Sequence, residues 1–371
     1  MTRTLRCFAL LCSLLLGVVA HAAEPVSDGP YVLIDKNATW NAVFIQHSKP
    51  LAHKTAIGSK IIVPAVADLP AFEVTLREIG LPGPSVVPLD RDTPMFVIAD
   101  THGEFEIAVT LLRAHKIIDD TLRWSFGKGH LVVLGDIFDR GAHQTEILWL
   151  LFKLEAEARE AGGGVHVVLG NHESMVLLGD DRYLHSKYKQ TAQLIGAPHY
   201  AALWGEQSFL GRWIRTKHTL MKVGGQLCVH GGVSSEIVDR KLTLDAINAT
   251  VREALHARHS MPEPQQALVS FIMGQNGPQW YRGYFEPRTP QDTPAAAPAD
   301  VARVLKHFEA KTILVGHTRI PTITPLYDGN VIAVQVYPHR DDEGAPVMEG
   351  LFIEKGHYFK ALADGSRVML E

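Results

Sequence analysis

From Pro94 onward, short apolar runs alternate with longer stretches of helical spacing. Met95–Ala99, Leu131–Leu134 and Val165–Leu169 are four- or five-residue runs that read as strands. Between them, Glu104–Ile118 places Ile107, Ala108, Leu111 and Leu112 on one helix face. Gln144–Arg159 does the same with Ile147, Leu148, Leu151, Leu154 and Ala158, and Gly162–Gly164 stops it. Strand–helix–strand–helix–strand predicts an α/β domain. Gln226–Val229 and Thr312–Val315 predict a fourth and a fifth strand. Asp300–Glu309 predicts a helix with Asp300 as its N-cap, and Val331–Val336, Met348–Ile353 and Tyr358–Leu362 predict antiparallel closing strands. Residues 175–222 read as a helical and irregular cap or wall, residues 235–275 as mostly helical, and the Pro- and Ala-rich stretch 286–299 as loop. Upstream, residues 24–92 hold short apolar runs broken by Gly and Pro, and predict a β-rich extension.

The first 22 residues stand apart from this pattern. Arg3 and Arg6 precede an apolar run, Cys7–Ala20, that is too short to span a bilayer, and Ala20-His21-Ala22 forms a small-residue cleavage site. The domain plan is therefore a signal peptide over 1–22, a β-rich extension over 23–92 and a catalytic domain over 93–371. The mature protein is expected in the periplasm or outside the cell, without stable membrane association. Cleavage removes Cys7 and Cys12 and leaves Cys228 alone, so no disulfide framework can form within one mature chain. Cys228 sits in the apolar run Leu227–Val229 and reads as a buried, inert thiol.

Composition narrows the function. With 46% hydrophobic and 20% charged residues, the chain is globular. A net charge of −4 and the lack of a basic stripe argue against a nucleic-acid partner. Nineteen histidines direct attention to metal or acid–base chemistry.

That chemistry gathers at strand ends. The five runs deliver, in order, Asp100 and His102, Asp136, Asn171 and His172, His230, and His317. In open α/β sheets, sites form beyond the carboxyl ends of the strands, so residues 217 positions apart in sequence are expected to converge. The donors are carboxylate, imidazole and amide, with no thiolate, which suits Mn, Fe or Zn outside a cysteine-based structural site.

Asp-Thr-His-Gly, Gly-Asp-Ile-Phe-Asp-Arg-Gly, Gly-Asn-His-Glu, His-Gly-Gly and Gly-His-Thr, in this order, resemble the calcineurin-like metallophosphoesterases. Gly135–Gly141 and Gly170–Glu173 resemble the phosphoprotein phosphatase branch. Gly179–Tyr188 and Gly277–Tyr284 are similar to the bacterial Shewanella-like phosphatases. The resemblance covers about residues 95–355. It implies a layered α/β fold, a β-sandwich flanked by helices, with the active site at the C-terminal ends of the strands.

It also implies two divalent metal ions (Mn, Fe or Zn). Asp100 and His102 match ligands of the first, Asp136 bridges both, and Asn171, His230 and His317 match ligands of the second. His172 matches a general acid, Asp139 its orienting carboxylate, and Arg140 a phosphate clamp. Arg282 is either a second clamp or a stem packed under Trp280, Tyr281 and Tyr284. Glu173 either supports a ligand or is a helix-start acid. His115, His166, His185 and His218 read as structural or surface residues. The implied activity is phosphomonoester hydrolysis by a metal-bridging hydroxide on a phosphorylated protein, with phosphotyrosine and phosphoserine/threonine both open, or on a small phosphate ester. The alternatives are a nucleotide or dinucleoside-polyphosphate phosphatase of the same superfamily and a non-catalytic binding module. Three departures from the eukaryotic serine/threonine enzymes weaken any transfer of their substrate preference: Val168-Leu169 before Gly170, Thr318 after His317, and Val233-Ser234-Ser235 after His-Gly-Gly.

The leader reading predicts that N-terminal sequencing of the native protein finds a chain starting after Ala22 in an extracytoplasmic fraction. An intact residue 1 in the cytoplasm would contradict it.

Overall fold

The computed structural model describes residues 25–257, 261–287, 289–290 and 293–370; the expected signal peptide lies outside them. The chain begins with β1 (Asp28–Ile34), β2 (Trp40–Gln46) and β3 (Lys49–Thr55), which pair antiparallel. A hairpin follows, β4 (Lys60–Val63) with β5 (Phe72–Thr75), and then the two-residue β6 (Val86–Val87). The expected α/β run comes next: β7 (Met95–Ile98), α1 (Phe105–Ala114), β8 (His130–Val133), α2 (Gln144–Glu160) and β9 (Gly164–Val167). Helices α3 (Asn171–Leu177), α4 (Ser186–Ile195) and α5 (Phe209–Ile214), with a 3-10 turn over Tyr200–Trp204, lead to β10 (Leu220–Val223) and β11 (Gln226–Val229). Then come α6 (Ser235–Asp239), α7 (Leu244–Ala257), α8 (Glu263–Ile272) and α9 (Pro298–Phe308). The chain closes through β12 (Thr312–Val315), β13 (Thr324–Leu326), β14 (Val331–Ala333), the short pair β15 (His339–Arg340) and β16 (Pro346–Val347), β17 (Glu349–Glu354), β18 (His357–Leu362) and β19 (Arg367–Met369).

Two six-stranded sheets organise the molecule, in the orders β19-β18-β17-β7-β8-β9 and β13-β14-β12-β11-β10-β6. Strand alternation explains why the central runs are apolar throughout. Met95, Val97, Val132 and Leu134 point into a core shared with Met221, Cys228, Leu314 and Ile332 of the facing sheet. Their neighbours Phe96, Ile98, Leu131 and Val133 point the other way, onto a core shared with α1 and α2. Each strand is thus buried on both faces, by a sheet on one side and by helices on the other. This is the helix-flanked sandwich of the sequence reading. The parallel pairs β7–β8, β8–β9 and β11–β12 align their carboxyl ends, as the site requires.

Two expectations need correction. Val331–Ala333 pairs parallel to β12 and antiparallel only to β13, because the chain crosses over after His317. The cap of α9 is Ala297, with Pro298 in the first turn. Proline lacks the N–H that a first-turn position leaves unpaired, so it starts the helix there and Asp300 falls inside it. The segment after β9 turns helical at Asn171, with Gly170 as the cap.

Residues 25–92 hold the helical face. The Trp149 indole of α2 donates to Pro30 O at 2.8 Å, Arg77 Nη1 donates to Phe152 O at 2.6 Å, and Trp40 lies edge-on to Phe209. β6 extends the second sheet by pairing parallel to β10. No helix among the described residues is long and apolar enough to cross a membrane.

Cys228 lies between the two sheets with 0% of its surface exposed, and burial pushes its thiol up to about 12. The native protein should resist iodoacetamide at pH 8 and label fully once unfolded. Rapid labelling of the native state would contradict this packing.

Candidate active site

The site is built on strained backbone. Asp100, His102, Asp136, Asp139, Arg140 and His317, six of the ten residues singled out from the sequence, have φ between 43° and 70°. Such left-handed conformations cost non-glycine residues roughly 1–3 kcal/mol each and persist only where surrounding contacts hold them. Those contacts tie the loops to one another. Asp100 N–H donates to Gly135 O at 3.1 Å, and His102 N–H to Asp136 O at 2.9 Å. His317 N–H donates to Asp100 Oδ1 at 3.1 Å, and His172 N–H to Asp136 Oδ1 at 3.0 Å. Glycine makes the approach possible: a Cβ on Gly170 would lie 2.2 Å from Asp136 Oδ1, and one on Gly316 2.5 Å from Asp100 Oδ1.

Glu173 settles both readings left open for it. It stands in the first turn of α3, where its Oε2 accepts the N–H of Gly170 at 2.7 Å, in the manner of a capping box. It also accepts Asp136 N–H on Oε2 at 2.8 Å, and Ile137 and Phe138 N–H on Oε1 at 2.7 and 3.2 Å.

Backbone carbonyls set the imidazole tautomers. His102 Nδ1–H donates to Phe138 O at 2.9 Å and His230 Nδ1–H to Leu134 O at 2.6 Å, which turns both Nε2 atoms toward Asp136. His317 Nε2 is buried and has no hydrogen-bond partner among the described residues. Asn171 Nδ2 donates to Met175 Sδ, leaving its Oδ1 3.0 Å from His230 Nε2. Atoms able to bind a cation form two groups, each within 4.8 Å and sharing Asp136: one of His102, Asp136 and His172, the other of Asp136, His230 and His317. His172 is near enough to the first group to join it, but its Nδ1 is held by Asp139.

Burial is the first influence on these groups. It lifts Asp100 to about 7, with Asp136 adding to the rise and His230 opposing it. Asp136 resists the same burial, because His230 and His172 hold it well below the usual carboxylate range. His230 rises to about 9 against its own burial, drawn by Asp136 and Asp100. Burial pushes His102 down to about 3 and, together with His230, holds His317 well below the usual imidazole value. Imidazole nitrogens around a buried carboxylate pair, with His102 and His317 pushed toward the neutral form, make a site for cations. The upward pull of Asp136 and Asp100 on His230 marks an excess of negative charge at this point.

In front of these groups is a cavity of about 520 Å³, lined by Asp100, His102, Asp136, Asn171, His172, His317, Arg140 and Arg282. Asp139 and His230 stand behind that wall. Asp139 Oδ2 is 2.5 Å from His172 Nδ1, and His172 Nε2 is 3.8 Å from Asp136 Oδ2. His172 is raised despite its burial, by Asp136 first and then Asp139. Arg282 is a rim residue and not a packed stem: Nη1 donates to His317 O at 3.0 Å and Thr318 Oγ1 at 2.9 Å. Arg140 stands on the opposite rim. Its N–H donates to Tyr183 O at 3.0 Å, and its guanidinium lies 5.4 Å from the Tyr183 ring centre.

All ten residues singled out from the sequence therefore meet at one place. Tyr183, Phe285, Arg319 and Gln335 also line the cavity and were not singled out. Tyr183 lay in a quoted motif and Arg319 two residues past His317, whereas Gln335 had no signal of its own. The four histidines read as structural are so. His115 bonds Leu362 O, His166 bonds His130, His218 bonds Gly83 O, and His185 caps α4.

Comparison with known proteins agrees. Residues 93–321 match the family model of the calcineurin-like phosphoesterases. The chain is 35% identical to a cold-active protein-tyrosine phosphatase of a psychrophilic Shewanella species, whose solved structure superposes with a TM-score of 0.79 over 93% of this chain and 99% of that one. It is 27% identical over 241 residues to Shewanella-like protein phosphatase 1 of Plasmodium berghei, and 26% over 238 residues to Shewanella-like protein phosphatase 2 of Arabidopsis thaliana. These alignments take in 62% of each chain for the first, and 53% of this chain and 59% of the relative for the second.

The shared carboxylate and the neighbouring imidazole should separate on mutation. Asp136→Asn removes the charge both ligand groups share and should lower metal content measured by elemental analysis. His172→Ala should retain the wild-type stoichiometry. An equal loss from both variants would make His172 a ligand.

Proposed function

We propose that this chain, which belongs to the calcineurin-like phosphoesterase family, is a phosphoprotein phosphatase that hydrolyses phosphate monoesters, phosphotyrosine foremost. The observation that carries the reading is the Asp139–His172 pair, 2.5 Å apart, facing Asp136 across a cavity rimmed by Arg140 and Arg282. The preference for an aryl ester is supported by the Tyr183, Trp280 and Phe285 rings around that cavity and by the likeness to a protein-tyrosine phosphatase.

The donor set fits two divalent cations. Asp136 is shared, His317 Nε2 is orphaned in a buried position, and every donor is oxygen or nitrogen. Asp100, His102 and Asp136 would hold one ion, and Asp136, Asn171, His230 and His317 the other. When bound, such a pair lends positive charge to the phosphoryl oxygens and lowers the pKa of water to the range of a nucleophile.

The chain's own residues complete the reaction. Arg140 and Arg282 offer planar forks that bind two oxygens of a dianionic phosphate at once, and Thr318 holds the second fork in place. His172 Nε2–H donates its proton to the leaving oxygen, while Asp139 accepts from Nδ1–H and keeps the ring in the right tautomer. Arg3, Arg6, the apolar run that follows and Ala20-His21-Ala22 support placing the mature enzyme outside the cytoplasm.

His172→Ala should lose about 10²–10⁴-fold in kcat on phosphotyrosine peptide. On an activated aryl phosphate such as 4-nitrophenyl phosphate the loss should be far smaller, because that oxygen departs with little help from a proton. Steady-state rates on both esters check this, and equal losses would remove His172 from the proton-donor role.

A further inference from the structure

We propose that the N-terminal strand β1 positions the Asp139–His172 pair through a buried hydrogen-bond relay that ends on Gln144; this inference rests on the reading of His172 as proton donor. Asp139 reaches His172 from a backbone with φ of 70°, and Arg140 beside it has the same φ, so the loop depends on contacts from outside. One comes from the side chain of Gln144, whose Oε1 accepts the Asp139 N–H at 2.7 Å.

Gln144 is fully buried and is itself held in one orientation. Its Nε2 donates to Tyr200 OH at 2.6 Å, and its backbone N–H donates to Tyr188 OH at 2.8 Å. The Tyr200 hydroxyl lies 3.4 Å from that of Tyr31 on β1, and Tyr31 OH donates to Asp28 Oδ2 at 2.8 Å. The same Oδ2 accepts Thr191 Oγ1 at 2.9 Å, and Oδ1 faces Lys187 Nζ at 3.2 Å.

The direction of the relay follows from its end group. Tyr31 OH donates to Asp28 Oδ2, and Lys187 Nζ on the other oxygen favours the carboxylate form, which only accepts. The Tyr31 oxygen is then left to accept, from Tyr200 and from the Thr145 hydroxyl 3.3 Å away, and the Tyr200 oxygen to accept from Gln144 Nε2. That orientation leaves Gln144 Oε1, and not its amide N–H, facing Asp139. A reversed amide would set donor against donor at the loop that carries both Asp139 and Arg140. None of Asp28, Tyr31, Tyr200 or Gln144 lines the cavity, so they are positioning residues that do not touch substrate. Part of the 175–222 segment, read from the sequence as a cap or wall, is thus a scaffold between the extension and the loop.

The experiment measures kcat/KM for Gln144→Ala and Tyr31→Phe, each alone and in a His172→Ala background, on phosphotyrosine peptide and on 4-nitrophenyl phosphate, with melting temperatures throughout. Asn248→Ala is the stability control. It removes three buried hydrogen bonds, with Thr219 N, Leu220 N and Leu220 O, that belong to neither the relay nor the cavity. Gln144→Ala should lose ~10-fold or more on the peptide and no more than about 3-fold on the activated ester. Tyr31→Phe, the milder change should Gln144→Ala not fold, should lose less with the same asymmetry. In the His172→Ala background neither should lose more than about 2-fold further, because variants acting through one group are not additive. Equal losses on both esters, or full additivity with His172→Ala, would overturn the relay, as would the same asymmetry in Asn248→Ala. If His172→Ala discriminates between the esters and the relay variants do not, the inference alone fails. If His172→Ala does not discriminate, the proton-donor reading fails and takes the inference with it.

Discussion

Glu173 has no exposed surface, yet its two oxygens accept four backbone N–H groups from the loops after β8 and β9. Burying a carboxylate costs several kcal/mol, and charged hydrogen bonds of about 1.5–3 kcal/mol each offset it. The outcome is geometric. The clamp holds Asp136 at φ 53°, brings Gly170 against it and starts α3 at Asn171. The backbone that carries the shared carboxylate, the amide beside His230 and His172 is pinned by this one side chain.

The charge layout of the site follows a simple division. Carboxylates sit at the floor, where burial and neighbouring imidazoles pull Asp100 and Asp136 in opposite directions. Guanidinium groups stand at the rim, where solvent lowers the cost of their charge. An acidic chain thereby places carboxylates at the floor and guanidinium groups at the mouth of one cavity. The strained loops that carry both are braced from two sides, by the neighbouring strand ends in front and by the extension and α4 behind.

Much of this was legible in the sequence, and the reason is physical. Strands buried on both faces must be apolar throughout, so Met95–Ile98, Leu131–Val133 and Thr312–Val315 stand out, and the polar residues that follow them stand out with them. β10 was lost inside the 175–222 segment, because Leu220–Val223 is a short run with Lys222 in its middle. The direction of β14 was not readable, since pairing sense depends on the crossover and not on the strand. The helical start at Asn171 was readable in principle, from Gly170 followed three residues later by Glu173. In a helical first turn the adjacent Asn171 and His172 diverge, which suits their different roles. The relay from Asp28 to Gln144 was not legible, because directly bonded members lie up to 169 residues apart and each reads singly as an ordinary core polar residue.

The central claim is that Asp136 joins two cation sites while His172 remains outside both. Anomalous diffraction from crystals of the metal-loaded protein tests this directly. The account predicts two peaks about 3.5–4 Å apart, both bonded to Asp136, with His172 Nδ1 still on Asp139 and Nε2 bonded to neither. A single peak, or a peak within bonding distance of His172 Nε2, would contradict it.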